Sequence, residues 1–86
     1  MRNFNFDSSV IDDLKKWLKN NPQIVKKVFE LLSDIDNDPL HGIGKPEALK
    51  YDFKGCWSRR ITEEHRLIYA VEENKIVIYS CYSHYK

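Results

Sequence analysis

The sequence predicts an α+β fold: two N-terminal helices packed on a twisted antiparallel sheet of four to five strands, in one domain over residues 1–86. Three observations predict it. Before residue 40 the apolar residues recur at helical spacing, after residue 50 aromatic and branched residues gather in short strand-like runs, and those runs are separated by breaks of only about three residues. Connections that short join antiparallel neighbours, so the runs form a meander with the helix pair on one face.

The elements follow in order. Arg2 to Phe6 alternates polar and aromatic residues, the period of a short half-buried strand. Asp7, Ser8 and Ser9 offer side-chain oxygens for a helix N-cap. Val10, Ile11, Leu14, Trp17 and Leu18 then share one helical face, with Asp12, Asp13, Lys15, Lys16 and Lys19 pointing away. Asn20, Asn21 and Pro22 break this pattern and start a second helix, in which Asn21 is the cap and proline fits the first position because its missing N–H has no partner there. Its stripe is Ile24, Val25, Val28, Leu31, Leu32 and Ile35, and Asn37, Asp38 and Pro39 end it.

From Leu40 to Lys50 two glycines and a proline sit among polar residues, which predicts a loop presenting side chains. Glu47 and Lys50 belong to that loop or to a short helical turn. Beyond it, Tyr51–Phe53, Trp57–Thr62, Arg66–Val71 and Lys75–Tyr82 read as the four strands of the meander.

Composition narrows the function classes. With 42% hydrophobic and 31% charged residues the chain can bury one core and keep a solvated surface. No apolar stretch follows Met1, and no window approaches the ~20 apolar residues of a membrane span, so a cytoplasmic, membrane-free protein is expected. In that reducing compartment Cys56 and Cys81 are expected as free thiols. Cys81 and His84 have a C-x-x-H spacing, but nothing completes a zinc set, and Gly42 and Gly44 are not part of a Walker sequence; neither metal nor cofactor is expected. The net charge of +1 predicts weak binding to free nucleic acid.

Chemistry concentrates between Gly42 and Ala70 and in the final residues. Alternation places Ser58, Arg60 and Thr62 on one face of their strand and Arg66, Ile68 and Ala70 on one face of the next, so Arg60 and Arg66 can converge on a phosphate. The competing reading makes Arg59, Arg60 and Arg66 solvent-side residues that discourage edge aggregation. Histidine's reference pKa of about 6.5 suits an imidazole to proton transfer near neutrality, which makes His84 a candidate, and Tyr82 and Tyr85 give the tail ring surface to anchor on or to stack against a base. A carboxylate at Glu47, a guanidinium at Arg66 and an imidazole at His84 are a base, a charge stabiliser and an acid, the inventory for metal-free cleavage of an RNA phosphodiester. Lys45 and Arg59 are further candidate substrate contacts, Lys45 to the RNA backbone.

The segments GIGKPEALK at Gly42 to Lys50, GCWSRRITEEHRLIYAV at Gly55 to Val71 and SHY at Ser83 to Tyr85 closely resemble the YoeB (Txe) branch of the RelE-like bacterial toxins. The resemblance extends more loosely through IVKK at Ile24 to Lys27 and LKKW at Leu14 to Trp17, so it covers nearly the whole chain. It implies a RelE-like, microbial-ribonuclease-like domain that enters the ribosomal A site of the 70S ribosome and cuts messenger RNA there. Carried over by position, Glu47 is the general base, Arg66 the phosphate and transition-state stabiliser, His84 the general acid and Tyr85 an aromatic substrate contact, with Lys50 and Arg60 as supporting cations. It further implies a YefM-like antitoxin, operator DNA contacted only through the antitoxin complex, and a homodimer. Cys56 stands where the family commonly has an aromatic, and Lys86 extends the usual His-Tyr end.

Overall fold

The computed structural model of the protein describes residues 2–50 and 53–81. The elements run β1 (Asn3–Phe6), α1 (Ser8–Asn20), α2 (Pro22–Asn37), β2 (Glu47–Ala48), β3 (Cys56–Arg60), β4 (Arg66–Val71) and β5 (Lys75–Ser80). The strands form one sheet in the order β1-β5-β4-β3-β2. Two helices against such a sheet match the expected class.

The sheet is mixed, which corrects the all-antiparallel expectation. β2, β3, β4 and β5 pair antiparallel in sequence order, but β1 lies parallel to β5, with Phe4 opposite Ile76 and Phe6 opposite Ile78. The Asp7 N–H extends that ladder to the Ile78 carbonyl. The first three pairings follow from short turns. The fourth joins opposite ends of the chain, and the helices intervening between β1 and β5 supply the crossover that a parallel pair requires.

Both helices start where expected. Asp7 caps α1 by accepting the Ser9 N–H, whereas the Asn21 side chain makes no capping bond and α2 relies on Pro22 in its first turn. The whole predicted stripe of α2 is buried. Helix α1 buries a narrower one: Val10 is fully enclosed, Leu14 and Trp17 pack partly on the core, and Ile11 and Leu18 stay 43% and 60% exposed at its shoulders. The core lies between helices and sheet, built from Val10, Ile24, Val28, Leu31, Leu32 and Ile35 against Leu67, Tyr69, Ile76, Ile78 and Cys81.

The strand expected at Tyr51–Phe53 falls mostly outside the described residues. Tyr51 and Asp52 lie outside the described residues, and Phe53 occupies a turn whose N–H donates to the Lys50 carbonyl. The edge strand is β2, so Glu47 sits on a strand and not in a loop or helical turn. At the other side, the register slips by one residue between Ile68 and Tyr69, because Ile68 faces Ser80 while Tyr69 faces Ile78. This bulge turns Cys81 into the core. No helix among the described residues is long and apolar enough to cross a membrane.

Candidate active site

Paired residues on neighbouring strands project to the same side, so the register assigns each strand residue a face. Trp57, Leu67, Tyr69, Ile76 and Ile78 face the helices. The opposite face, open in the sense that neither described helix packs on it, carries Glu47 from β2, Cys56, Ser58 and Arg60 from β3, and Arg66, Ile68 and Ala70 from β4, with Ser58, Ile68 and Ala70 buried at its centre.

Two cross-strand pairs organise that face. Glu47 stands opposite Ser58, and Arg60 stands opposite Arg66. The Glu47 carboxylate reaches across β3 to Arg66, with Oε1 at 4.0 Å from Nη1. Its side chain is 61% exposed and that of Arg66 23%. A loose pair this open to water adds little stability, so either partner is free to engage a ligand. Two like-charged guanidiniums facing each other repel unless an anion lies between them. This arrangement suits a phosphate held by a guanidinium fork, with a carboxylate alongside to accept a proton.

The strand bearing Glu47 is braced on both sides. The Arg60 N–H donates to the Gly44 carbonyl at 2.6 Å, and the Leu49 N–H donates to the Cys56 carbonyl at 2.9 Å. Lys50 follows, exposed, and with Glu47, Ala48 and Leu49 it lines a hollow of about 300 Å³. Lys45 is exposed and holds φ at 51°. A residue before proline is normally restricted to extended backbone, so this left-handed lysine ahead of Pro46 is strained. A second hollow on the open face, about 340 Å³, is lined by Phe53, Cys56, Ile68 and Tyr79.

Arg59 departs from its expected place among the substrate contacts. Its side chain is 0% exposed on the helix side of the sheet. Nε donates to the Tyr69 hydroxyl at 3.0 Å, Nη1 to the Asp34 carboxylate and the Ile43 carbonyl, and Nη2 to the carbonyls of Asp38 and His41. The Tyr69 hydroxyl donates onward to the Pro39 carbonyl at 2.8 Å. A guanidinium with all its nitrogens committed in the interior cannot reach a phosphate; it pins the loop between α2 and β2. The hydrogen bond from Arg59, joined by the Ile43 N–H, holds the Asp34 carboxyl below the usual range, while burial raises the Tyr69 phenol.

His84 and Tyr85 lie outside the described residues. Within them, the predicted set divides cleanly: Glu47, Arg60 and Arg66 come together, Lys45 and Lys50 flank them, and Arg59 is elsewhere. Ser58, Asp34 and Tyr69 were not singled out from the sequence. Asp34 and Tyr69 carried no local signal, since their role depends on a buried cation from another element. Neither cysteine is disulfide-bonded, and burial pushes the Cys81 thiol up to about 12, too high for a nucleophile at neutral pH.

Comparison with known proteins adds a family. Residues 6–85 match the model of the YoeB-like toxin of bacterial type II toxin-antitoxin systems. The chain is 50% identical over 74 residues to Toxin YoeB of Escherichia coli K12, covering 86% of this chain and 88% of that protein. It superposes on a chain of a YoeB-YefM complex from Staphylococcus aureus with a TM-score of 0.88 at 48% identity, covering 99% of each chain. A YoeB dimer from Staphylococcus aureus gives a TM-score of 0.90 at 47% identity, with 98% of each covered.

Proposed function

Because the chain belongs to the YoeB-like toxins of bacterial type II toxin–antitoxin systems, we propose that it is a ribosome-dependent endoribonuclease that cuts messenger RNA in the A site and so stops translation. The single observation that carries the reading is the meeting of Glu47 and Arg66 on the open face, with Arg60 beside them.

In this reading Glu47 takes the proton of the 2′-hydroxyl, and that oxygen attacks the adjacent phosphorus in line. Arg66, supported by Arg60, neutralises the charge gathering on the phosphate oxygens. His84, assigned from the sequence alone, protonates the departing 5′-oxygen, and Tyr85 contacts the substrate. The products are a 2′,3′-cyclic phosphate and a 5′-hydroxyl. Lys45 and Lys50 border the backbone path. No step calls for a metal or cofactor.

A net charge of +1 gives little affinity for free RNA, so binding and orientation fall to the ribosome. The Staphylococcus aureus relatives, seen with YefM and as a dimer, support a YefM-like antitoxin and a homodimer for this chain as well. Operator DNA would be met only through the antitoxin complex, which represses its own operon.

The test is cleavage of one message with and without 70S ribosomes. Cuts confined to ribosome-bound message support the proposal. Equal cutting of free RNA would mark a general ribonuclease, and no cutting in either case a non-catalytic member.

A further inference from the structure

Ser58 has the most enclosed hydroxyl on the open face and no use in the resting fold. The residue is 0% exposed, and its Oγ has no hydrogen-bond partner among the described residues. A buried, unsatisfied hydroxyl is costly to keep, since alanine would fill the same place without the desolvation penalty. Nor is the position an arbitrary one. Ser58 is the register partner of Glu47 on one side and of Ile68 on the other, so its side chain projects beside the Glu47 carboxylate stem, with Cβ atoms ~5 Å apart in such pairs.

Glu47 has a conflict of its own. Its contact in the resting structure is Arg66, at 4.0 Å, the same guanidinium that must turn to the phosphate during cleavage. Once Arg66 leaves, the carboxylate has nothing among the described residues to fix its orientation. Proton transfer requires a fixed geometry.

We propose that Ser58 is a positioning residue for the base: as Arg66 turns to the scissile phosphate, the Ser58 hydroxyl donates to the sheet-facing oxygen of Glu47 and leaves the outer oxygen for the 2′-hydroxyl proton. Ser58 neither gains nor loses a proton. The unpartnered hydroxyl is then a donor held in reserve for the substrate-bound state, and its lost stability is exchanged for orientation. This inference rests on the reading of Glu47 as general base.

Four proteins test it: wild type, Ser58→Ala, Glu47→Gln and the double variant, each assayed for kcat and KM on ribosome-bound message and for melting temperature. The expected result for Ser58→Ala is a kcat lower by about 10- to 100-fold, the worth of a hydrogen bond to a charged group, with KM unchanged and a melting temperature at or above wild type. In the Glu47→Gln background the same change should have no further effect, because the carboxylate it orients is gone. Ser58→Thr, which keeps the hydroxyl, should retain most of the lost rate. Wild-type kcat in Ser58→Ala, a kcat loss accompanied by a matching drop in melting temperature, or an equal further loss on Glu47→Gln would each overturn the proposal. Full activity of Glu47→Gln alone would instead remove the base reading beneath it.

Discussion

Arg59 and Arg60 are neighbours with opposite roles, and the strand's alternation decides between them. Arg59 shares its face with Trp57 and goes inward, where Asp34, Tyr69 and three carbonyls receive it; Arg60 shares its face with Ser58 and looks onto the site. Alternation put Ser58, Arg60 and Thr62 on one face and so left Arg59 on the other, yet the inward role of Arg59 was not read from the sequence, which offered it as a substrate contact or a solvent-side residue. What hid it was the rarity of a fully buried arginine, which needs partners supplied by distant elements. Three predictions belong here. Asp34→Asn removes the charge facing Arg59 and should cost about 2 kcal/mol in chemical denaturation, less than a fully buried pair because the Asp34 side chain is 28% exposed and the carbonyl contacts persist. The Asp34 carboxyl is held low in the folded state, so its contribution is present above the ordinary carboxylate pKa of about 3.9 and is lost as pH falls through the lower folded value. Wild type should therefore weaken below about pH 4 more steeply than Asp34→Asn does. Lys45→Gly relieves a left-handed φ of 51° and should stabilise the protein by about 1 kcal/mol, read by melting, while weakening cleavage if the lysine lies on the backbone path.

At the scale of elements, the helices were legible because their apolar stripes and breakers agree, and α2 buries the stripe its sequence announces. For α1 the pattern overstated burial, since Ile11 and Leu18 satisfy the helical period but lie at the margin of the sheet. The edge strand β2 was not legible at all. Two residues carry no periodicity, and Glu47–Ala48 is strand only because β3 and the pinned loop before it hold its backbone in place. That loop depends on close approach at Gly44, where φ is +79° and a Cβ would lie 2.8 Å from Leu31 Cδ2 and 3.2 Å from the Arg60 carbonyl oxygen. Gly44→Ala should thus destabilise the fold by more than about 1 kcal/mol and displace Glu47. Cleavage and melting temperature should fall together, unlike the pattern expected for Ser58→Ala.

For the whole molecule, the sheet's parallel pair explains how the chain closes: β1 pairs along β5, so both termini of the described chain meet one strand. Pairing between distant segments leaves no local trace, and the short-turn argument that gave the antiparallel strands could not reach it. The same long-range closure stacks the core on one side of the sheet and leaves the other side to Glu47, Ser58, Arg60 and Arg66. A chain with net charge of +1 can do without its own nucleic-acid affinity if the ribosome presents the message to that open face. The claim on which the account turns is that the 2′-hydroxyl beside the scissile phosphate is the nucleophile and Glu47 its base. The most direct measurement uses ribosomes programmed with a message carrying a single 2′-deoxy nucleotide at the cleavage position, the product ends being identified on the matched all-ribose message. The account predicts a 2′,3′-cyclic phosphate from the ribose message and no cut at the deoxy position; cleavage at that position at the wild-type rate would contradict it.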